Sequence, residues 1–399
     1  MLHLDTSVME LGLIALAFVS SANALVAEPY GSAFSVDAVA STAQRFDPIA
    51  ERNRLSSKYP SFGRQDKRQT QPVGQQGSVE VNAASTGLTF LVPTVVGNQT
   101  FDMIFDTGSS DFWVYSNESS IYQSLDHPVY IPTASAELLP NYTWSIAYTY
   151  GDKISGVVFR DVVKVGPVIA EKQSVQSATI IEPEVSADGI VGLASSLLNT
   201  VKPVKQKTLF DTLEPTLQRK VFAANLKPKG TTGSWDFGYI DKSKYTGEIA
   251  YAPRVNGSKY WEISVNEYAV GEGSFGNATV GSVIVDSGTS LVYLPSAVVE
   301  DYYSKIEGYE YTQGESHVFP CNSTVPDFHF KIQGGAILSI LGKDVNFAVY
   351  DRARGTCAGA IASQLKSKYS ILGSMFMKNY YVIHSREEEG SPKMGFASH

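Results

Sequence analysis

The sequence predicts a mostly β protein made of two copies of one unit, and three observations carry that prediction. Its 399 residues include 33 glycines and 22 tyrosines and are 43% apolar and 18% charged, a composition that suits a turn-rich, strand-rich soluble protein. Short alternating stretches recur between Gly, Asn, Asp and Pro, whereas helical periodicity is brief. A motif centred on aspartate occurs twice, and each copy is followed at matching distance by a second shared signal.

Read from the amino end, Leu11 to Val19 is an unbroken apolar run, with Ala22-x-Ala24 just beyond it. That is the layout of an export signal over 1–24, although Asp5 and Glu10 replace the usual basic residues. A buried amino-terminal helix would read similarly, but the run is too short to cross a bilayer. Residues 25–68 are poor in aromatics and end in Lys67-Arg68, a pair that processing proteases cut, so a propeptide is expected there. The remainder is expected to form one lobe over 69–245 and a second over 246–399. No second long apolar segment follows, so the reading is a secreted chain without a membrane anchor.

Strand alternation is clearest at Leu88 to Val96, Tyr142 to Tyr150 and Lys259 to Val270. Helices are expected near Leu209 to Leu217 and at Ser296 to Ile306, where Val298, Val299, Tyr302 and Tyr303 share a face. The two cysteines, Cys321 and Cys357, are expected to pair in an oxidising compartment, for about 3–4 kcal/mol of chain entropy. A zinc site with His317 and His329 is the alternative, but the spacing fits no short ligand knuckle and HExxH is absent, so no metal or other cofactor is expected. Six sequons, at Asn98, Asn117, Asn141, Asn256, Asn277 and Asn322, are glycosylation candidates.

The repeat reads MIFDTGSSDFWVYS around Asp106 and VIVDSGTSLVYLPS around Asp286. Ile190-Val191-Gly192 lies 86 residues past the first aspartate, and Ile371-Leu372-Gly373 lies 87 past the second. A single Asp-Ser/Thr-Gly-Ser/Thr, expected about once in 10⁴ positions, is most simply a turn in which Asp caps and Gly takes positive φ. Two copies at one spacing imply a duplicated fold about a pseudo-two-fold axis, which brings two carboxylates together.

On these residues the chain resembles the pepsin-like aspartic proteases, most closely the secreted fungal enzymes similar to penicillopepsin. DFGYIDKSKYTGEIAY, VVEDYYSKIEG and the CNSTVPDF and TCAGAI segments carry the likeness, which runs from about Leu88 to Ala397. The resemblance implies a bilobal fold of two β-barrel-like lobes around a central cleft, an endopeptidase acting on polypeptides in acid, and a monomer.

Two carboxylates close together share one proton, so one can act as base on water while the other donates to the peptide carbonyl. Asp106 and Asp286 are the candidates. Gly108 and Gly288 let the loops turn tightly, and Ser109 and Thr289 can hold the outer carboxylate oxygens. By resemblance, Thr107 and Ser287 brace the two loops across the axis, with Ser where relatives have Thr. The segment Trp144 to Gly156 resembles the family's flap, with Trp113 the tryptophan that bonds the flap tyrosine. Spacing selects Tyr148 as that tyrosine; Tyr150 is the alternative register, because the Gly151-Asp152 pair is displaced relative to the family pattern. Ser374 stands where relatives carry Asp after the second glycine. Lys58, before Tyr59, resembles the propeptide lysine that plugs the cleft of zymogens.

Other classes fit less well. A net charge of -8 disfavours nucleic-acid binding. Gly271-Glu-Gly273-Ser-Phe-Gly276 matches GxGxxG, but a strand-like run follows it rather than a helix, so a hairpin turn is expected. A serine hydrolase would need a Gly-x-Ser-x-Gly elbow, which is absent. The remaining rival is a pepsin-fold protein that binds or inhibits without catalysis.

Overall fold

The computed structural model describes residues 73–83, 89–119, 127–147, 153–182, 187–228, 231–312, 316–364 and 369–399, with only the backbone of residues 82, 182 and 277–279. The segments expected to be export signal and propeptide, with Lys58, Lys67 and Arg68, and the expected flap residues Tyr148, Tyr150, Gly151 and Asp152 lie outside the described residues.

Alternation becomes strand where one face can be buried. Phe90–Val96 buries every second side chain as the sequence suggests, and it pairs with Gln99–Asp106 on one side and Lys153–Val165 on the other. That double pairing closes a ring of six strands, which continues through Gly189–Gly192, Phe112–Tyr115 and Val168–Glu182. Closure removes the free edges of the ring itself, and Glu137–Ala147 adds as an outer strand along Lys153–Val165. In the second half, Glu262–Val270, Gly276–Val285, Val292–Leu294 and Ser370–Leu372 belong to an open seven-stranded sheet, with a separate four-stranded sheet beside it. The duplication therefore holds in motif but not in closure.

Between the lobes runs a six-stranded antiparallel platform. Gly77–Ala83, Gly233–Phe237 and Val221–Asn225 come from the first half; Tyr380–Ser385, Lys393–Ser398 and Thr246–Pro253 come from the second. Its upper face holds Trp235, Phe222 and Phe237, and Phe105 packs on Trp235 with ring centroids 5.4 Å apart. The residue that precedes Asp106 is thus anchored in the platform.

The helices are shorter than the periodicity suggested. The first is Leu209–Leu213 rather than a segment reaching Leu217, because Pro215 has no N–H to continue the ladder. Thr216 and Leu217 instead bond back to the Leu213 carbonyl. The second, Ser296–Tyr303, buries the four residues expected, and turns continue it through Ile306. The Gly271–Gly276 segment is a hairpin turn between Glu262–Val270 and Gly276–Val285, with Gly271 at φ 55°.

Cys321, in the turn just after His317–Pro320, forms a disulfide with Cys357 on the neighbouring strand Thr356–Gly359. His317 stacks on Tyr303 and bonds the Tyr309 hydroxyl, and His329 bonds Ser339, so the zinc alternative gives way to the disulfide. Asn98, Asn141, Asn256 and Asn322 are exposed, whereas Asn117 is half-buried and its Oδ1 is enclosed without a partner. The side chain of Asn277 lies outside the described residues.

Candidate active site

Each aspartate sits where a buried strand ends. Gln99–Asp106 turns fully buried over its last four residues, and Asp106 lies at the inner end of the closed ring. Ile104, Phe105 and Asp106 pair in parallel with Ile190, Val191 and Gly192, while Phe112 to Val114 run antiparallel on the far side of that same strand. The second copy repeats the arrangement. Val283 to Val285 pair in parallel with Ser370 to Leu372, which pair antiparallel with Val292 and Tyr293. The matched spacing in the sequence is this threading, in which a later strand passes between the two arms of each aspartate loop. Ser374, the departure at the second glycine, donates its N–H to the Thr289 carbonyl and so helps hold the loop.

The two loops are tied to each other across the axis. Thr107 Oγ1 donates to the Val285 carbonyl at 2.8 Å and accepts from Ser287 N at 3.0 Å. Reciprocally, Ser287 Oγ donates to the Phe105 carbonyl at 2.6 Å and accepts from Thr107 N at 3.0 Å. Serine supports the same exchange as threonine because only the hydroxyl takes part.

Within each loop the carboxylate is gripped twice. Asp106 accepts from Gly108 N at 2.8 Å and Ser109 Oγ at 2.5 Å; Asp286 accepts from Gly288 N at 2.9 Å and Thr289 Oγ1 at 2.6 Å. Each carboxylate also lies over the glycine of the opposite loop. A Cβ at Gly108 would fall 2.5 Å from Asp286 Cγ, and one at Gly288 would fall 2.6 Å from Asp106 Cγ. Both side chains are buried, at 0% and 4% exposure, so the charged forms gain little from water. Burial first, then the neighbouring Asp106 charge and a hydrogen bond to it, push the Asp286 carboxyl well above the usual carboxylate range.

Trp113, on the strand after the first loop, is fully buried, stacked on Trp144 at 6.4 Å and edge-on to Tyr115 at 5.5 Å. Trp144 belongs to Glu137–Ala147, which pairs with Lys153–Val165 in a hairpin whose last described rung is Ala147 with Lys153.

Two residues at the site were not evident from sequence. Asp111 is buried behind the first loop, where its Oδ1 accepts from Gln176, Asn199 and both the N–H and hydroxyl of Thr200. Burial raises its pKa, and these donors partly offset the rise. The signal was an asymmetry between the copies: the matching position is Leu291, in an apolar cluster. Trp261 bridges the two loops. Its carbonyl accepts from Val285 N at 2.9 Å, its Nε1 donates to the Leu193 carbonyl at 2.9 Å, and Leu193 N donates to the Asp106 carbonyl at 2.7 Å. No local pattern marks it.

Comparison with known proteins agrees with this geometry. Residues 93–399 match the family model described as eukaryotic aspartyl protease. The chain is 40% identical over 331 residues to the aspartic protease pepA of Leptosphaeria maculans, covering 82% of this chain and 80% of that one. It is 39% identical to penicillopepsin-3 of Penicillium janthinellum, covering 80% and 81%. It is 36% identical to penicillopepsin-1 of Penicillium rubens, covering 96% of both. The fold is similar to that of an aspartic proteinase from Irpex lacteus, with a TM-score of 0.68 at 23% identity, covering 81% of this chain and 97% of that one.

Proposed function

The chain belongs to the eukaryotic aspartyl protease family and is an aspartic endopeptidase, and we propose that it is exported, works in acid, and cuts polypeptides with Asp106 and Asp286 as its catalytic pair. The observation that carries this is the burial of the two carboxylates over each other's glycines, with Asp286 held towards its protonated form. Such a pair holds one proton between its members and titrates as a unit. The ionised member takes a proton from the attacking water, and the protonated member donates to the carbonyl oxygen as the tetrahedral intermediate forms. Acid is required because raising the pH removes the shared proton.

The neighbours have supporting roles in this reading. Ser109, Thr289 and the Gly108 and Gly288 amides hold the outer oxygens in plane, and Thr107 with Ser287 fixes the distance between loops. The hairpin beyond Trp144 closes over substrate as a flap, with Tyr148 as its tyrosine and Trp113 behind it. Export through residues 1–24, removal of 25–68 at Lys67-Arg68, and a cleft plugged by Lys58 until acid releases it complete the proposal. The enzyme acts as a monomer.

The test is casein digestion at about pH 3.5, a condition in which such a pair is singly protonated, with and without pepstatin, beside Asp106→Asn and Asp286→Asn. Each substitution is expected to lower kcat by at least about 10³-fold, and pepstatin to abolish the rest. Digestion that survives both the inhibitor and the substitutions would overturn the assignment and favour a binding protein with a contaminating protease.

A further inference from the structure

A pocket of about 290 Å³ opens beside the junction of the lobes, away from the two aspartates. Its walls come from the Ser195–Leu197 turn, the short helix holding Asp211, and the hairpin after Ser385. Two guanidinium groups meet over one indole here. Arg386 Cζ lies 5.5 Å from the Trp261 ring centroid and 4.9 Å from that of Phe210; Arg254 Cζ lies 6.0 Å from Trp261. Like charges this close repel unless each finds an anion.

Only one of them has found it. Arg386 is paired with Asp211 and with Glu214. Of the remaining lining charges, Glu388 is paired with Lys393. Among the described residues, no carboxylate lies within ion-pairing distance of Arg254, and its Nε is enclosed with no hydrogen-bond partner. Burial, and secondarily the Arg386 charge, press its pKa downwards, as expected of a cation short of a counter-ion.

We propose that this pocket binds a short aliphatic carboxylate, with Arg254 as its principal ligand. A planar guanidinium offers two parallel donors that match the two oxygens of a carboxylate. Leu197 and Pro392 line the same pocket and give an apolar surface for a hydrocarbon tail. Lys220 and Glu389 also line the pocket and offset each other, which leaves the single charge of Arg254 to be matched and favours a monocarboxylate over phosphate.

The experiment is titration calorimetry of the purified protein with sodium butyrate at about pH 6, where a carboxylic acid is ionised, beside sodium chloride and inorganic phosphate. Wild type is expected to bind butyrate saturably, and Arg254→Gln to bind it at least about ten-fold more weakly. Arg254→Lys, which keeps the charge but loses the fork, is expected to fall between the two and serves if the glutamine variant does not fold. Wild type binding butyrate no better than chloride would overturn the proposal. So would phosphate binding in preference to butyrate, or either variant matching wild type. The readout is binding rather than hydrolysis, so it stands apart from the fate of the catalytic assignment.

Discussion

At the residue scale, the two Asp-Ser/Thr-Gly-Ser/Thr motifs are compact because the glycine amide and hydroxyl that grip each carboxylate lie within three positions of it. Ser287 shows how much one hydroxyl can carry. It satisfies a buried carbonyl at Phe105 and a buried N–H at Thr107, both from the opposite lobe. Ser287→Ala strands both, at about 1–3 kcal/mol for each buried group left unpaired. We expect the urea midpoint to fall accordingly and kcat to fall with it, while Ser287→Thr restores both. An alanine variant with wild-type stability and kcat would show that the loops are held elsewhere. This local grammar made the motif legible in the sequence. For Asp111 the sequence offered only the asymmetry with Leu291, because the donors that hold it come from residues 176, 199 and 200, far along the chain.

At the element scale, what the sequence disclosed was set by how far each signal reaches. Two-residue alternation showed the strands, and GxGxxG followed by β-branched residues showed a hairpin turn rather than a phosphate loop. The threading of Gly189–Gly192 and Ser370–Leu372 was legible only as an equal spacing, since the copies keep the same chain length around the same path. Closure of one ring and not the other left no mark, because it depends on Phe90–Val96 pairing on both edges. The Glu137–Ala147 and Lys153–Val165 arms pair without a break from Thr143 with Val157 to Ala147 with Lys153, beyond an irregularity between Leu138 and Thr143. If Tyr148 is the tyrosine that closes on substrate, Tyr148→Ala lowers kcat/KM on a peptide substrate by about 10–100-fold, the cost of misplacing bound groups. Tyr150→Ala then costs far less. The reverse order assigns the flap to Tyr150, and equal small effects deny the hairpin that role.

For the whole molecule, the acid that the proposed catalytic pair would require acts against the platform beneath it. His384, on Tyr380–Ser385, is fully buried, stacked on Phe222 at 4.3 Å and edge-on to Trp261 at 5.0 Å, with the Phe222 and Val382 backbones beside it. Burial drives its pKa down to about 3, so in the folded protein it stays neutral over most of the acid range. The unfolded chain takes the same proton at about 6.5. Between those two values the unfolded state binds more protons, and stability therefore falls as the pH falls, by up to about 1.4 kcal/mol per pH unit. His317, lowered by burial to about 4, adds a parallel loss over a narrower span. On the proposed function, the working range is the overlap of a pair that needs its proton and a platform that resists one. His384→Phe keeps an aromatic ring on Phe222 and removes the titration. Urea unfolding of wild type and variant, compared at about pH 7 and pH 4, is expected to show the smaller loss of stability on acidification in the variant. Equal losses would mean that His384 already finds its proton in the folded state, and that the acid limit of this enzyme is set at other groups.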